Sequence, residues 1–144
     1  MENNAPGRGK LKVTGIIYTV LGALSILGSL LILGAGGLLL ARDTDVGLVL
    51  GAAAGVFSVL GAVSGVFYLV IGILGIRNCG RPENCGANFV LGVIVLVLVV
   101  IGLVVNVAVS GPTGAAYSVV GLVLSILYLQ GAKQNRDAWK AAQS

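Results

Sequence analysis

The sequence predicts an all-α membrane protein, an antiparallel bundle of four transmembrane helices with both termini in the cytoplasm. Three observations support this fold class: an apolar composition, charges confined to the chain ends and two short clusters, and four long apolar runs. Of the 144 residues, 57% are hydrophobic and 10% are charged, and the mean hydropathy is +1.03. Soluble proteins have roughly 25% charged residues, so this composition lies far outside the soluble range.

The four apolar runs are each about long enough to cross a bilayer, whose ~30 Å hydrocarbon core needs about 20 helical residues. The runs cover residues 13–41, 46–76, 87–109 and 114–132 of a transmembrane domain at 13–132. Because the connections between them are short, neighbouring helices are predicted to be antiparallel. We expect a disordered cytoplasmic head over residues 1–12 and a cytoplasmic tail over 133–144 that can continue the last helix.

The first two runs exceed the length of a single span by about ten residues each. Glycine is the least helix-favouring residue after proline, so the glycine cluster at residues 34–37 is where we expect the first helix to bend or end. The excess would then form a small outer knob over residues 34–50. Its only charges are those of Arg42, Asp43 and Asp45.

Basic residues predict the orientation. The head carries three Lys or Arg residues, the first connection one, the second two, the third none and the tail three. Since basic residues favour the cytoplasmic side, eight of the nine lie there if both ends are cytoplasmic. The predicted location is the plasma membrane, which in a bacterium is the inner membrane. Membrane lipid is the predicted partner of these charges, and nucleic acid is not needed to explain them.

Aromatic residues agree with this orientation. In the predicted spans, four of them lie near the cytoplasmic interface, where aromatic belts form. These are Tyr18, Tyr68, Phe89 and Tyr128.

Small residues recur at helical spacing on one face of three predicted spans. Such residues let membrane helices approach closely, so each face is predicted to pack against another helix, within the bundle or in another subunit. The positions are Gly47, Gly51, Gly55, Ser58, Gly61 and Gly65 in the second span, Gly92 and Gly102 in the third, and Gly114, Ser118, Gly121 and Ser125 in the fourth.

Asn106 is the only carboxamide well inside a predicted span. Its side chain can bridge two helices through a hydrogen bond worth ~0.6 to 2 kcal/mol, or it can line a polar path. We favour the interhelical bond.

Two cysteines, Cys79 and Cys85, lie in the second connection. Cytoplasmic thiols are normally reduced, which favours a plain turn with two free thiols. The alternatives are a loop disulfide, lipidation next to the membrane, or a metal shared between subunits. With two cysteines and no histidine, one chain cannot complete a four-ligand zinc site.

Sequence motifs of nucleotide-binding, zinc-protease and serine-hydrolase sites are absent. A cysteine nucleophile would need an adjacent base, and the sequence offers none. We therefore expect no enzyme activity, no cofactor and no metal site within one chain.

The segments GILGIRN at residues 72–78, PE at 82–83 and LYLQGAKQN at 127–135, together with a glycine-bearing third span, support a resemblance. They resemble small four-span membrane proteins of Gram-positive bacteria that have no assigned function. The resemblance covers residues 60–136 at most, and it implies the architecture but no catalytic or binding residues. The layout is also similar to that of claudins and tetraspanins, without their extracellular domains.

These observations favour a non-enzymatic membrane protein that acts through helix packing, either by self-association or as an accessory or scaffold to another membrane protein. One alternative is a homo-oligomeric pore or transporter for neutral or lipidic solutes, which would have to form between subunits. Another is protection against a membrane-targeting toxin.

Overall fold

The computed structural model describes residues 5–42 and 44–144, except for the side chains of Pro82 and residues 109–117. Its described part contains helices and no strands, which confirms the predicted all-α fold class at the level of a helical bundle. The elements are α1 (Arg8–Leu40), α2 (Asp45–Asn78), a 3₁₀ turn (Pro82–Asn84) and α3 (Cys85–Gln143).

Three helical segments are long and apolar enough to cross a membrane: Arg8–Leu40, Asp45–Asn78 and Cys85–Ala108. Their outer surfaces are apolar, with side chains such as Leu31 and Leu38 exposed to 76% and 73%. Water would make so apolar an exterior unfavourable, by roughly 25 cal/mol for each Å². The described helices therefore have the character of a membrane protein.

Helix α1 starts at Arg8 and continues through the glycine cluster at 34–37 to Leu40, so the cluster does not end the helix. Within this cluster, position 36 has no room for a side chain, because a Cβ added to Gly36 would lie only 2.7 Å from the Ala54 Cβ of α2. The cluster thus permits close helix contact.

The connection between α1 and α2 is short and ends in a helix cap. The Gly47 N–H donates a 3.0 Å hydrogen bond to Thr44 Oγ1, which satisfies one of the free N–H groups at the start of α2. Arg42 and Asp45 flank this connection, whereas Asp43, the third charge of the predicted knob, lies outside the described residues.

Helix α3 is helical over 59 residues, yet its two halves contact each other. A straight helix would separate Gly92 and Leu129 by about 55 Å, but a Cβ added at Gly92 would lie 3.4 Å from the Leu129 Cα. The chain therefore reverses between Asn106 and Ser118, and we call residues 85–106 the first arm and residues 118–143 the second arm. The predicted turn at residues 110–113 falls in the stretch whose side chains are outside the described part.

The chain forms two compact units, one of which contains both chain ends. This terminal unit comprises the residues up to Ile16 and Ile71–Ser144, and the hairpin unit comprises Ile17–Val70. Within the hairpin unit α1 and α2 are antiparallel neighbours, as shown by contacts of Gly65 with Gly22 and of Gly51 with Gly36.

Candidate helix-packing and polar sites

In the hairpin unit, most small residues on the predicted face of α2 lie against α1. A Cβ added at Gly65 would be 2.7 Å from Ile26 Cγ1, and one at Gly61 would be 3.2 Å from Ser29 Cβ. Across the same interface, Ser25 Oγ donates a 3.0 Å hydrogen bond to the Gly61 carbonyl. Glycine at these positions lets two helix backbones approach closely.

Towards the α1–α2 connection, the face contains Gly47 and Gly51. An added Cβ at Gly47 would lie 2.6 Å from the Leu39 carbonyl oxygen, and one at Gly51 would overlap the Leu40 side chain. Ser58 is buried and its hydroxyl donates to the Gly55 carbonyl of its own helix at 2.8 Å.

Gly55 differs from its neighbours because no atom lies within 4 Å of an added Cβ. It lies in a shallow, open apolar depression on one face of α2, which we call the groove, with a volume of about 450 Å³ and lined by Ala52, Gly55, Val56, Val59 and Leu60. The structure thus places one member of the predicted face in a groove of its own.

In the terminal unit, the two arms of α3 bring together several of the predicted small residues. Gly92 packs on Tyr128 and Leu129, and a Cβ at Gly121 would contact Val99 Cγ1 at 3.6 Å. The Ser125 hydroxyl is buried and donates to the Gly121 carbonyl at 2.8 Å. Gly102 has no neighbour within 4 Å of an added Cβ, and Gly114 lies outside the described side chains.

Asn106 and Ser118 join the ends of the two arms. The Asn106 Nδ2 donates a 3.1 Å hydrogen bond to Ser118 Oγ. This is the geometry of an interhelical bond, and both partners belong to the sequence-predicted set.

Three of the tyrosines, Tyr18, Tyr68 and Tyr128, make contacts between helices. In the hairpin unit, Tyr18 is buried and stacks on Tyr68, with ring centroids 5.6 Å apart. In the terminal unit, Tyr128 is fully buried beside Gly75, and its hydroxyl donates to the Ile71 carbonyl at 3.4 Å. A buried tyrosine needs a partner for its hydroxyl, which the packed helices supply for Tyr128. The placement of these tyrosines near the cytoplasmic interface stays a prediction.

Asn135 is a polar contact that the sequence analysis did not single out. Its side chain is fully buried, its Oδ1 accepts the Gly7 N–H at 2.8 Å, and its Nδ2 donates to the Cys79 carbonyl at 3.2 Å. This one amide links the start of α1, the end of α2 and the second arm. In the sequence, Asn135 follows Lys133 and Gln134 and resembles a residue of a solvated tail.

A second buried amide pair lies nearby in the terminal unit. Asn78 Nδ2 donates to Asn88 Oδ1 at 3.4 Å, while Asn88 Nδ2 is buried and has no hydrogen-bond partner in the described part of the chain. Buried polar groups are normally paired, so this site is only partly satisfied.

Both cysteines are buried, and neither forms a disulfide among the described residues. Burial raises the pKa of the Cys85 thiol. The backbone hydrogen bond of Cys85 and the charges of Arg136 and Lys140 oppose that shift, whereas the charge of Asp137 adds to it. The disulfide, lipidation and shared-metal hypotheses stay open, and the described part of the chain contains no cluster of three or more metal-ligating residues.

Arg136 lies over an aromatic ring at the same end of the terminal unit. Its guanidinium carbon is 3.8 Å from the centroid of the Phe89 ring. Sequence analysis assigned Phe89 to the interface, but it had no signal for its cationic partner 47 residues away.

Comparison with known proteins finds no family that matches the chain, and no similar curated protein or solved structure.

Proposed function

We propose that this chain is a non-enzymatic integral membrane protein that acts through helix packing, either with itself or as an accessory or scaffold to another membrane protein. The apolar groove around Gly55 carries the proposal. Three helices with an apolar exterior support its placement in a bilayer.

We propose four spans, the fourth being the second arm of α3. The antiparallel contacts of Gly92 with Leu129 and of Gly121 with Val99 support this, because the two arms then cross in opposite directions. Residues 114–132 carry no charge, and a span of this kind satisfies its own backbone groups in lipid.

We place both termini in the cytoplasm, next to the plasma membrane. The contacts of Asn135 with Gly7 and Cys79 support this orientation, since they bring the head, the second connection and the tail to one end of the terminal unit. These segments contain eight of the nine basic residues, which are expected on the cytoplasmic side.

The groove around Gly55 fits a second membrane helix. Atoms of α1 already pack against Gly51, Gly61 and Gly65. No atom lies within 4 Å of a Cβ added at Gly55, and its surroundings are apolar. Lipid chains are as apolar as leucine, so membrane helices associate through close van der Waals packing, which small residues allow. A side chain from another helix would gain such contacts in the groove.

The proposal is tested by measuring self-association of the full-length protein in bilayers, by energy transfer between differently labelled chains at several protein-to-lipid ratios. Gly55→Leu adds a side chain in the groove, at a position where an added Cβ meets no atom within 4 Å. We expect it to weaken association roughly tenfold, or about 1.4 kcal/mol. Gly102→Leu is the matched control, because Gly102 also has no neighbour within 4 Å of an added Cβ.

A wild-type chain that stays monomeric in bilayers and crosslinks to no membrane protein in cells would contradict the proposal. If the two leucine variants weaken association equally, the contact between chains does not depend on the groove. Reporter fusions at each terminus test the orientation independently.

A further inference from the structure

Basic residues gather at one end of the terminal unit. Asn135 contacts both Gly7 and Cys79, so three segments distant in sequence meet there. Among their described residues, Glu83 and Asp137 are the acidic ones. The basic residues of the three segments are Arg8, Lys10, Lys12, Arg77, Arg81, Lys133, Arg136 and Lys140. The end therefore has a strong positive charge.

Arg136 is held in place but is not fully paired. The Phe89 ring lies 3.8 Å below its guanidinium carbon, a cation–π contact that uses none of the guanidinium N–H donors. Its Nε is buried without a hydrogen-bond partner in the described part of the chain, and the Asp137 carboxylate oxygen is 3.7 Å away. The side chain remains 29% exposed, so an acceptor from outside can approach the guanidinium group.

Two further basic residues lie on the same side of the second arm as Arg136. Lys133 and Lys140 are three and four residues from Arg136, a spacing that puts all three on one side of the second arm. Because Arg136 lies over Phe89, this side of the second arm faces the start of α3. Gly86, three residues before Phe89, is exposed and has no atom within 4 Å of an added Cβ.

We propose that Arg136, with Lys133 and Lys140 beside it, binds the phosphate group of an anionic phospholipid. The inference rests on the membrane placement proposed above. The third apolar run begins at residue 87 and the fourth ends at residue 132, so Phe89 and Arg136 then lie close to the level of the lipid headgroups.

A phospholipid headgroup supplies what the site lacks. Phosphate oxygens are acceptors for the N–H groups on the exposed part of the guanidinium group, and the planar guanidinium matches phosphate geometry better than an ammonium group does. An anionic headgroup is favoured over a zwitterionic one because each basic residue near an anionic surface contributes ~1 kcal/mol.

Trp139, the only tryptophan of the chain, gives a local readout three residues from Arg136. The full-length protein is incorporated into phosphatidylcholine nanodiscs that contain a trace of dansyl-labelled phosphatidylglycerol or, separately, of dansyl-labelled phosphatidylcholine. Energy transfer from Trp139 to dansyl reports the lipid beside the site. We expect a preference of about tenfold for the anionic label, equivalent to ~1.4 kcal/mol.

Variants distinguish a specific site at Arg136 from non-specific attraction of anionic lipid to the basic end of the terminal unit. Arg136→Gln is expected to lower the preference about fivefold, the factor for ~1 kcal/mol. Lys12→Gln removes the same charge from the same end of the terminal unit and is expected to lower it by about twofold or less, because salt partly screens it. Arg136→Lys keeps the charge but not the planar fork, and Phe89→Leu removes the ring, so both should lose part of the preference.

Equal losses for Arg136→Gln and Lys12→Gln, with none for Arg136→Lys, would show diffuse attraction and overturn the site. Displacement of the labelled lipid by an equal concentration of inorganic phosphate would assign the site to a soluble anion and overturn the lipid. A chain that fails to enter the disc overturns the membrane placement and this site together. Incorporation with equal transfer for both labels overturns the lipid site alone and leaves the helix-packing proposal standing.

Discussion

Gly22 of α1 and Gly65 of α2 lie face to face in the hairpin unit. A Cβ added at Gly22 would lie 2.7 Å from the Gly65 carbonyl oxygen, and one added at Gly65 would lie 2.9 Å from the Gly22 carbonyl oxygen. Neither position has room for a larger residue unless the helices separate. This glycine pair therefore sets how closely the two backbones approach.

Gly65→Val is expected to destabilise the folded state by roughly 1 to 3 kcal/mol, because the added carbons meet the backbone of α1. Titration with SDS in mixed micelles measures the free energy of unfolding. Gly28→Val is the control, since an added Cβ there meets no atom within 4 Å; we expect a change within about 0.5 kcal/mol. Similar losses for both variants would contradict the assigned contact.

Asn135→Leu is expected to destabilise the terminal unit by about 1 to 3 kcal/mol for each backbone group it leaves unpaired. Those groups are the Gly7 N–H and the Cys79 carbonyl. Hydrogen exchange at the Gly7 amide should become faster, and SDS titration gives the free energy. Gln134→Leu changes the exposed neighbour and should leave both measurements unchanged.

The Asn78–Asn88 pair should behave differently from Asn135. Replacing both asparagines with leucine removes a long hydrogen bond and an unpaired Nδ2, and such a double replacement can be nearly neutral. We expect the free energy of unfolding to stay within about 1 kcal/mol of the wild type. A loss as large as that of Asn135→Leu would show that the pair makes a contact beyond this hydrogen bond.

The Asn106–Ser118 hydrogen bond predicts a measurable coupling between the arms. A double-mutant cycle with Asn106→Leu and Ser118→Ala should give an interaction energy of roughly 0.6 to 1.7 kcal/mol. Any solute flux in liposomes should be unchanged by Asn106→Leu. Lost flux with intact assembly would instead support a polar path through Asn106.

Cys79 and Cys85 should react slowly with maleimide in the folded protein, without prior reduction, because both thiols are buried and free. The raised pKa of Cys85 keeps its thiol neutral near pH 7, and the thiolate is the reactive form. Its labelling rate should therefore keep rising at pH values above those at which an ordinary cysteine is already deprotonated. Labelling in SDS, where burial is lost, is the control; a thiol that needs reduction in both states would indicate a disulfide.

Much of the secondary structure could be predicted from the sequence. The predicted span at 46–76 corresponds to α2, Asp45–Asn78, and the start of the third span at 87 to the start of α3 at Cys85. Apolar runs interrupted by charges mark such boundaries because charged residues are unfavourable in hydrocarbon. Local spacing also identified glycines such as Gly65 as members of a helix face, but it could not say which partner the face would meet.

The polar contacts could not be predicted in the same way. Asn135 lies in a charged tail, yet it is buried because the start of α1 and the end of α2 meet it. Tyr128 resembled an interface anchor, but it is buried in the terminal unit beside Gly75. Burial of such residues depends on contacts between segments about 50 to 130 residues apart, which local patterns do not encode.

The sequence by itself determined the apolar character of the protein's exterior and its helical class. A chain this apolar, with so few charges, satisfies its backbone hydrogen-bonding groups within helices. Tertiary structure alone decided that Gly65 is occupied by α1 while Gly55 stays open, and that Arg136 stacks on Phe89. The physical reason is that composition and periodicity act along one helix, whereas occupancy, pairing and stacking depend on which surfaces meet when the helices pack.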